Sequence, residues 1–232
     1  METFLGCPSV EVRKNNEKAI IAAGHQIRFA IARGPFNIAS FLMGTTELMM
    51  AIVMDPEGTH RLLEKITGFV CDWLEWQKEN FPSMDGVLIL DDIIGFVGEN
   101  EFNEFVIPYF KKIFSATGAS ARFLHNDAAG LITAKNLEEM DVNMFNFSFE
   151  HSLDEIRKLA GPEIVLVGNI PPRDVLATGT AEQVKSAVYK AFGEIDDHKR
   201  IIWSAGGGLP PDVSSNNINA FIEAVKESSK KT

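Results

Sequence analysis

The sequence predicts an α/β protein built on a parallel sheet. Short apolar runs bounded by turn residues alternate with longer segments of helical period, the signature of βα units. Most of these runs are continuously apolar rather than alternating, so both faces of the sheet should be covered, as in a barrel or a doubly wound sheet. A length of 232 residues suits one ordinary domain, expected here as residues 1–232 with a helical N-terminal segment at 1–24. A chain of this size needs neither metal nor disulfides to hold its core, so any metal would serve chemistry.

Six strands are expected, at Ile27–Ala32, Val87–Leu90, Ala121–Leu124, Met144–Phe147, Ile164–Val167 and Ile201–Trp203. The helices between them have legible ends. Asp55-Pro56-Glu57 sets a capping Asp before a Pro at the first helical position, and the segment should run to about Glu79. Its Leu62, Leu63, Ile66, Phe69, Val70, Trp73 and Leu74 recur at helical spacing. Thr180-Ala-Glu-Gln183 has the form of a capping box. Ser214 to Lys226 should be the last helix, with Ile218, Phe221, Ile222 and Val225 on its inner side. Met43, Met49, Met50 and Met54 lie among helical apolar residues and are expected in the core. His25, His60 and His198 sit in polar surroundings and are expected to face solvent.

Composition narrows the function. Lys and Arg number 22 against 32 Asp and Glu, a net charge of −10, and no basic run, the terminal Lys230-Lys231 included, is longer than two residues. Nucleic acid and an anionic membrane are therefore poor partners, and a small molecule or another protein is expected. Cys7 and Cys71 form no disulfide framework and no CxxC pair. The reducing cytoplasm is the expected compartment. No signal-peptide pattern opens the sequence, and no run of about 18 apolar residues marks a membrane span.

In parallel α/β folds ligands bind at the carboxyl ends of the strands. There this sequence places Arg33-Gly34-Pro35, Asp91-Asp92, His125-Asn126-Asp127, Ser148 with Glu150-His151, Gly168-Asn169, and Ser204-Ala205-Gly206-Gly207-Gly208. Asp91 and Asp92 alternate in direction, so at most one points inward, and an Asp after a strand also serves as a helix cap. His125 and Asp127 share one face of an extended chain, a spacing that suits two metal ligands or a base and its orienting partner. A histidine at a strand end is equally a hydrogen-bonded structural residue. An imidazole with two carboxylates suits zinc, manganese or ferrous iron. The glycine run matches neither a Walker nor a Rossmann fingerprint; it could cradle a phosphate or form a turn that lets a ligand approach the backbone.

At these rim positions the sequence resembles the uroporphyrinogen decarboxylase superfamily, which includes zinc-dependent methyltransferases acting with corrinoid proteins. The matching stretches are Gly34-Pro-Phe-Asn-Ile-Ala-Ser-Phe-Leu-Met-Gly44, Leu90-Asp-Asp-Ile-Ile-Gly95, Pro108-Tyr-Phe-Lys-Lys-Ile113, His125-Asn-Asp127, Gly168-Asn-Ile-Pro-Pro172 and Ser204-Ala-Gly-Gly-Gly-Leu-Pro-Pro211. The resemblance implies a (β/α)8 TIM-barrel-like fold, of which about six of eight βα units are found here, two being missing at the front. It also implies a His-x-Cys zinc motif with a distant Cys. His125 matches, but Asp127 stands at the first cysteine position and Gly207 at the second, which excludes a thiolate-rich site. The decarboxylases' arginine-rich N-terminal motif and their His in the glycine loop are absent from this sequence. The run Asn146 to Glu155 is more similar to the methyltransferase branch.

The expectation is thus a methyltransferase-like member of the family. Asp91, Asp92, His125 and Asp127 would be catalytic, and His125, Asp127 and Asp92 would hold a metal such as zinc. Arg33, Asn146, Asn169, Ser204, Gly206, Gly207 and Gly208 would bind substrate or a corrinoid carried by a partner protein. The alternatives are decarboxylation of a tetrapyrrole, with Arg33, Arg122 and Arg173 near the rim, or a catalytically silent subunit in a homo- or hetero-oligomer. Six strands leave an unpaired sheet edge, to be covered by a partner, a dimer mate or the segment Thr3 to Ala23.

Overall fold

A computed structural model describes residues 10–128 and 131–230. Cys7 and Lys231 lie outside the described residues. The strands are β1 (Phe29–Arg33), β2 (Gly86–Leu90), β3 (Ala121–Asn126), β4 (Met144–Phe147), β5 (Val165–Ile170) and β6 (Ile201–Ala205). The helices are α1 (Val10–Ala22), α2 (Pro35–Met43), α3 (Thr45–Met54), α4 (Pro56–Asn80), α5 (Glu99–Glu101), α6 (Ile107–Ala116), α7 (Leu131–Lys135), α8 (Leu153–Ala160), α9 (Ala181–Gly193) and α10 (Ser215–Ser228). All six expected strands are present, and they form one six-stranded sheet in the order β1-β2-β3-β4-β5-β6. Pairing is parallel between β1 and β2, β4 and β5, and β5 and β6. Doubly wound sheets reverse their strand order partway, whereas barrels keep it sequential. The order therefore favours the barrel type over the doubly wound sheet.

The chain divides into two compact units. The first holds the described residues of Met1–Ile93, Val97–Leu124 and Glu139–Asp141; the second holds those of Ile94–Phe96, His125–Glu138 and Val142–Thr232. In the first, α4 starts as expected: the Asp55 carboxylate accepts from the Gly58 amide at 2.9 Å, and Pro56 occupies the first turn. It buries Leu63, Ile66, Val70 and Leu74 at helical spacing, while Phe102, Phe105, Phe110 and Phe114 supply aromatic core. The methionines depart from expectation. Met49 is half-buried, and Met43, Met50 and Met54 are 36, 53 and 75% exposed. The cause is a bend of 105° between α2 and α3. Burial goes to the N-terminal part of α2, Pro35 to Ser40, and in α3 only to Leu48 and Ile52.

In the second unit α9 opens with the expected capping box, Gln183 N–H donating to Thr180 Oγ1 and Thr180 N–H donating to Gln183 Oε1. The last helix is rotated from its expected phase. Its buried residues are Asn217, Ala220, Ala224 and Ser228, while Ile218 and Ile222 are exposed. Two forces outweigh the larger side chains. Asn217 Nδ2 donates to the carbonyls of Leu176 (3.0 Å) and Gly179 (2.8 Å), and the small Ala220 and Ala224 turn inward where bulkier residues would hold the helix away. His198 does not face solvent freely either, since its Nε2 meets the Phe192 carbonyl at 2.9 Å and its ring stacks on Phe192. His60, in the first unit, stacks on Phe105 and bonds Tyr109 Oη at 2.7 Å through Nδ1. His25 is exposed. Among the described residues no single helix is long and apolar enough to cross a membrane.

Candidate functional site

The rim of the first unit is organised by Asp91. It follows β2, is fully buried, and its Oδ2 accepts from the backbone N–H groups of Phe36 (2.9 Å) and Asn37 (3.1 Å) at the start of α2. Its Oδ1 accepts from Ile93 at 3.2 Å. Asn37 returns a bond from Nδ2 to the Leu90 carbonyl at 3.1 Å. Position 34 must be glycine, because a Cβ there would lie 2.6 Å from Asp91 Cβ. Burial pushes the Asp91 carboxyl up to about 7, against the pull of its backbone donors. This carboxyl is thus engaged in holding the entry to α2. Asp92, the next residue, is half-buried, as is Arg33 at the end of β1. Arg122 is not at the rim: it is the second residue of β3 and pairs with Asp141 at 3.1 Å.

In the second unit the structure brings His125, Asp127, Asn146 and Gly207 together. His125 Nδ1 lies 2.6 Å from Asn146 Oδ1. The Asn146 amide cannot be turned over, because its Nδ2 donates to the carbonyls of Val167 (2.6 Å) and Ala205 (3.2 Å). Oδ1 is therefore the acceptor, and His125 Nδ1 must carry the proton that it accepts. In the neutral ring this leaves the lone pair on Nε2, which faces Asp127 Oδ2 at 3.8 Å. An imidazole tethered through Nδ1–H, with Nε2 presented beside a carboxylate, is held as metal-ligating histidines are, by a partner that fixes the ring's tautomer and orientation. The donor set is nitrogen and oxygen, which fits a divalent cation of intermediate hardness. Cys71, the one described cysteine, lies on α4 in the first unit.

The glycine loop has reasons internal to the protein. Gly207 has φ of 141°, a conformation for glycine, and a Cβ there would sit 2.8 Å from Asp127 Oδ2. A Cβ at Gly206 would lie 2.9 Å from the Phe149 backbone nitrogen, whereas Gly208 has nothing within 4 Å. Gly206→Ala is accordingly expected to cost about 1–3 kcal/mol through overpacking, and Gly208→Ala to change stability little. Equal melting temperatures for the two variants would contradict this assignment. Ser204 is half-buried on β6. Asn169 is buried and donates from Nδ2 to the His151 carbonyl. It also borders a cavity of about 360 Å³ whose walls include Phe149, His151, Pro171, Lys190 and Glu194. No motif in the sequence marks that cavity, which the loop after β4 and the side of α9 create only on folding.

A sequential parallel α/β sheet with its polar residues at the strand ends defines the class of this protein. The model of the uroporphyrinogen decarboxylase (URO-D) family matches residues 20–228, and the chain belongs to that family. Curated uroporphyrinogen decarboxylases of Chlorobaculum tepidum and Dichelobacter nodosus are 27% and 28% identical to it, over 76% and 74% of this chain and 51% and 49% of their own lengths. The chain thus spans about half the length of these curated relatives. Among solved structures, a methyltransferase from Methanosarcina mazei aligns with a TM-score of 0.75 and 19% identity, over 86% of this chain and 58% of that one. A B12-independent methionine synthase from Shewanella sp. W3-18-1 aligns at 0.61 and 13%, over 94% and 67%. At such identities these two likenesses establish the shared fold.

Proposed function

We propose that this chain is a methyltransferase-like member of its family, acting in the cytoplasm, in which His125, Asp127 and Asp92 hold a divalent metal, zinc foremost. The observation that carries the reading is the tethered imidazole: His125 Nδ1–H donates to Asn146 Oδ1, which leaves Nε2 turned to the Asp127 carboxylate. Asp92, just after the end of β2 in the first unit, is the third ligand proposed. A metal bound there would supply Lewis acidity, lowering the pKa of a thiol or hydroxyl acceptor.

The chain's own residues do the remaining work. Asn146 orients His125, Asp127 supplies negative charge against the bound cation, and Gly207 keeps the space beside Asp127 clear. The glycine loop, open at Gly208, is the side on which a corrinoid carried by a partner protein would approach. The fold shared with a protein named a methyltransferase, and with one named a B12-independent methionine synthase, supports the reading.

A second reading, decarboxylation of a tetrapyrrole side chain, is favoured by the names of the curated relatives. It would need cationic groups for the substrate's carboxylates, and Arg122 is already engaged with Asp141. The two readings separate in one pair of assays. Methyl transfer from methylcobalamin to a thiol, dependent on added zinc and lost in chelator, is expected; carboxyl loss from uroporphyrinogen in chelator, with no methyl transfer, would replace it. Asn146→Ala should weaken zinc binding by about 10–100-fold by releasing His125, as competition with a chromophoric chelator would show.

A further inference from the structure

The cavity beside the end of β5 is a separate feature of the second unit. Its walls come from the loop after β4, the end of β5, the short π-helix Pro172–Ala177 and α9, and they include none of His125, Asp127 and Asn146. All of these walls belong to one compact unit. The volume of about 360 Å³ stands at the lower end of the range for small-molecule sites. Ile170 and Ala191 are buried, and Val175 and Ala187 half-buried, so that part of the wall is apolar.

One polar group on these walls is buried and only half used. Asn169 is 7% exposed, and its Nδ2 donates to the His151 carbonyl, an oxygen that can only accept and so fixes which way the amide points. Its Oδ1 accepts from no described residue, yet that oxygen is not sealed within the protein. With the residue otherwise buried, the cavity is the space onto which Oδ1 opens. Whatever displaces water from it must bring an N–H or O–H, or the oxygen is left desolvated and unpaired. Charge narrows the choice further. Two carboxylates, Glu150 and Glu194, border the cavity with one lysine, Lys190, whose ammonium lies 3.6 Å from Glu194 and whose side chain is 80% exposed. His151 is the remaining titratable group on the walls, and Glu155 Oε2 lies 3.1 Å from its Nδ1. An anion would find the lysine already paired and mostly in solvent, whereas a cation meets an excess of carboxylate.

We propose that this cavity binds a small primary amine in its ammonium form, with an N–H donated to Asn169 Oδ1, the charge set against Glu194, and a compact apolar body on Ile170, Val175, Ala187 and Ala191. Each part of that ligand answers one feature of the walls. The ammonium brings both the donor that the buried amide lacks and the charge that the carboxylates favour. The apolar body gains by leaving water. An alcohol of the same shape meets the first requirement and not the second. A carboxylate meets neither and is repelled by Glu150 and Glu194. The site is independent of the proposed metal centre, and it stands whether or not the chain transfers methyl groups.

Benzylamine, benzyl alcohol and benzoate share one ring and differ in the group it carries, so they separate these requirements. Saturation-transfer NMR titrations of the wild-type chain at neutral pH should show benzylamine binding in the millimolar range, benzyl alcohol at least about tenfold more weakly, and benzoate not at all. Glu194→Gln should lower the affinity for benzylamine by about tenfold and leave that for benzyl alcohol unchanged. Ala187→Leu fills the cavity from α9 with a residue that suits a helix, and should abolish binding of both. Circular dichroism checks the fold of each variant, and the wild-type series depends on neither. No binding of benzylamine up to about 10 mM, benzoate binding as tightly as the amine, or a folded Glu194→Gln or Ala187→Leu protein that binds benzylamine as wild type does would each overturn the proposal.

Discussion

Asp91→Ala is expected to lower the stability of the protein by about 3 kcal/mol or more, or about 6–12 °C in melting temperature. The carboxylate accepts from the N–H groups of Phe36, Asn37 and Ile93, and its loss leaves buried donors each costing about 1–3 kcal/mol. Relief of the buried charge offsets part of this. Asp91→Asn separates the two effects, since its oxygen still accepts from Phe36 and Asn37 while its amide opposes Ile93.

The pH dependence carries the same information. Burial raises the Asp91 carboxyl from 3.8 to about 7, so between those values the folded state binds more protons than the unfolded one. Stability from this group is therefore greatest at acid pH, falls as pH rises through the window, and levels off above about 7. The slope is at most about 1.4 kcal/mol per pH unit. Urea unfolding at pH 5 and pH 8 in metal-free buffer should show the decline in wild type and its reduction in Asp91→Asn. Identical pH profiles, together with an undisturbed Asp91→Ala melt, would contradict the role given to this residue.

On the proposed function, Asp127→Ala should reduce methyl transfer by at least about a hundredfold, as loss of the ligand proposed there exceeds the 10–100-fold typical of a supporting residue. The effect is local: Asp127 follows β3 and is half-buried, so a melt near that of wild type is expected beside the loss of activity. His125→Ala should match it. Added zinc should not restore either variant at concentrations that saturate wild type. A variant with full activity in chelator would remove the metal from the mechanism altogether.

The sheet was legible because continuous apolar runs such as Val87–Leu90 have both faces covered, and the helix starts because Asp55 and Thr180 cap through side-chain chemistry local in sequence. β3 and β5 run further than apolarity suggests, to Asn126 and Ile170, since ladder hydrogen bonds do not depend on side-chain polarity. What escaped the sequence depends on non-local contacts. Asp91 reads as a rim acid, yet it is engaged by amides 54 and 55 residues away. Asn146 was legible as a polar rim residue, but its hold on His125 depends on carbonyls from β5 and β6. Gln77, near the end of α4, bonds both backbone groups of Ile31, a contact between residues 46 apart that no local pattern marks.

Elemental mass spectrometry of the purified chain beside Asp127→Ala tests the central claim most directly. Near-stoichiometric zinc, or another divalent transition metal, in wild type and its loss from the folded variant is the predicted result. Equal metal content in the two proteins, or none in wild type after purification in zinc-replete buffer, would contradict the assignment of His125 and Asp127 as a metal centre.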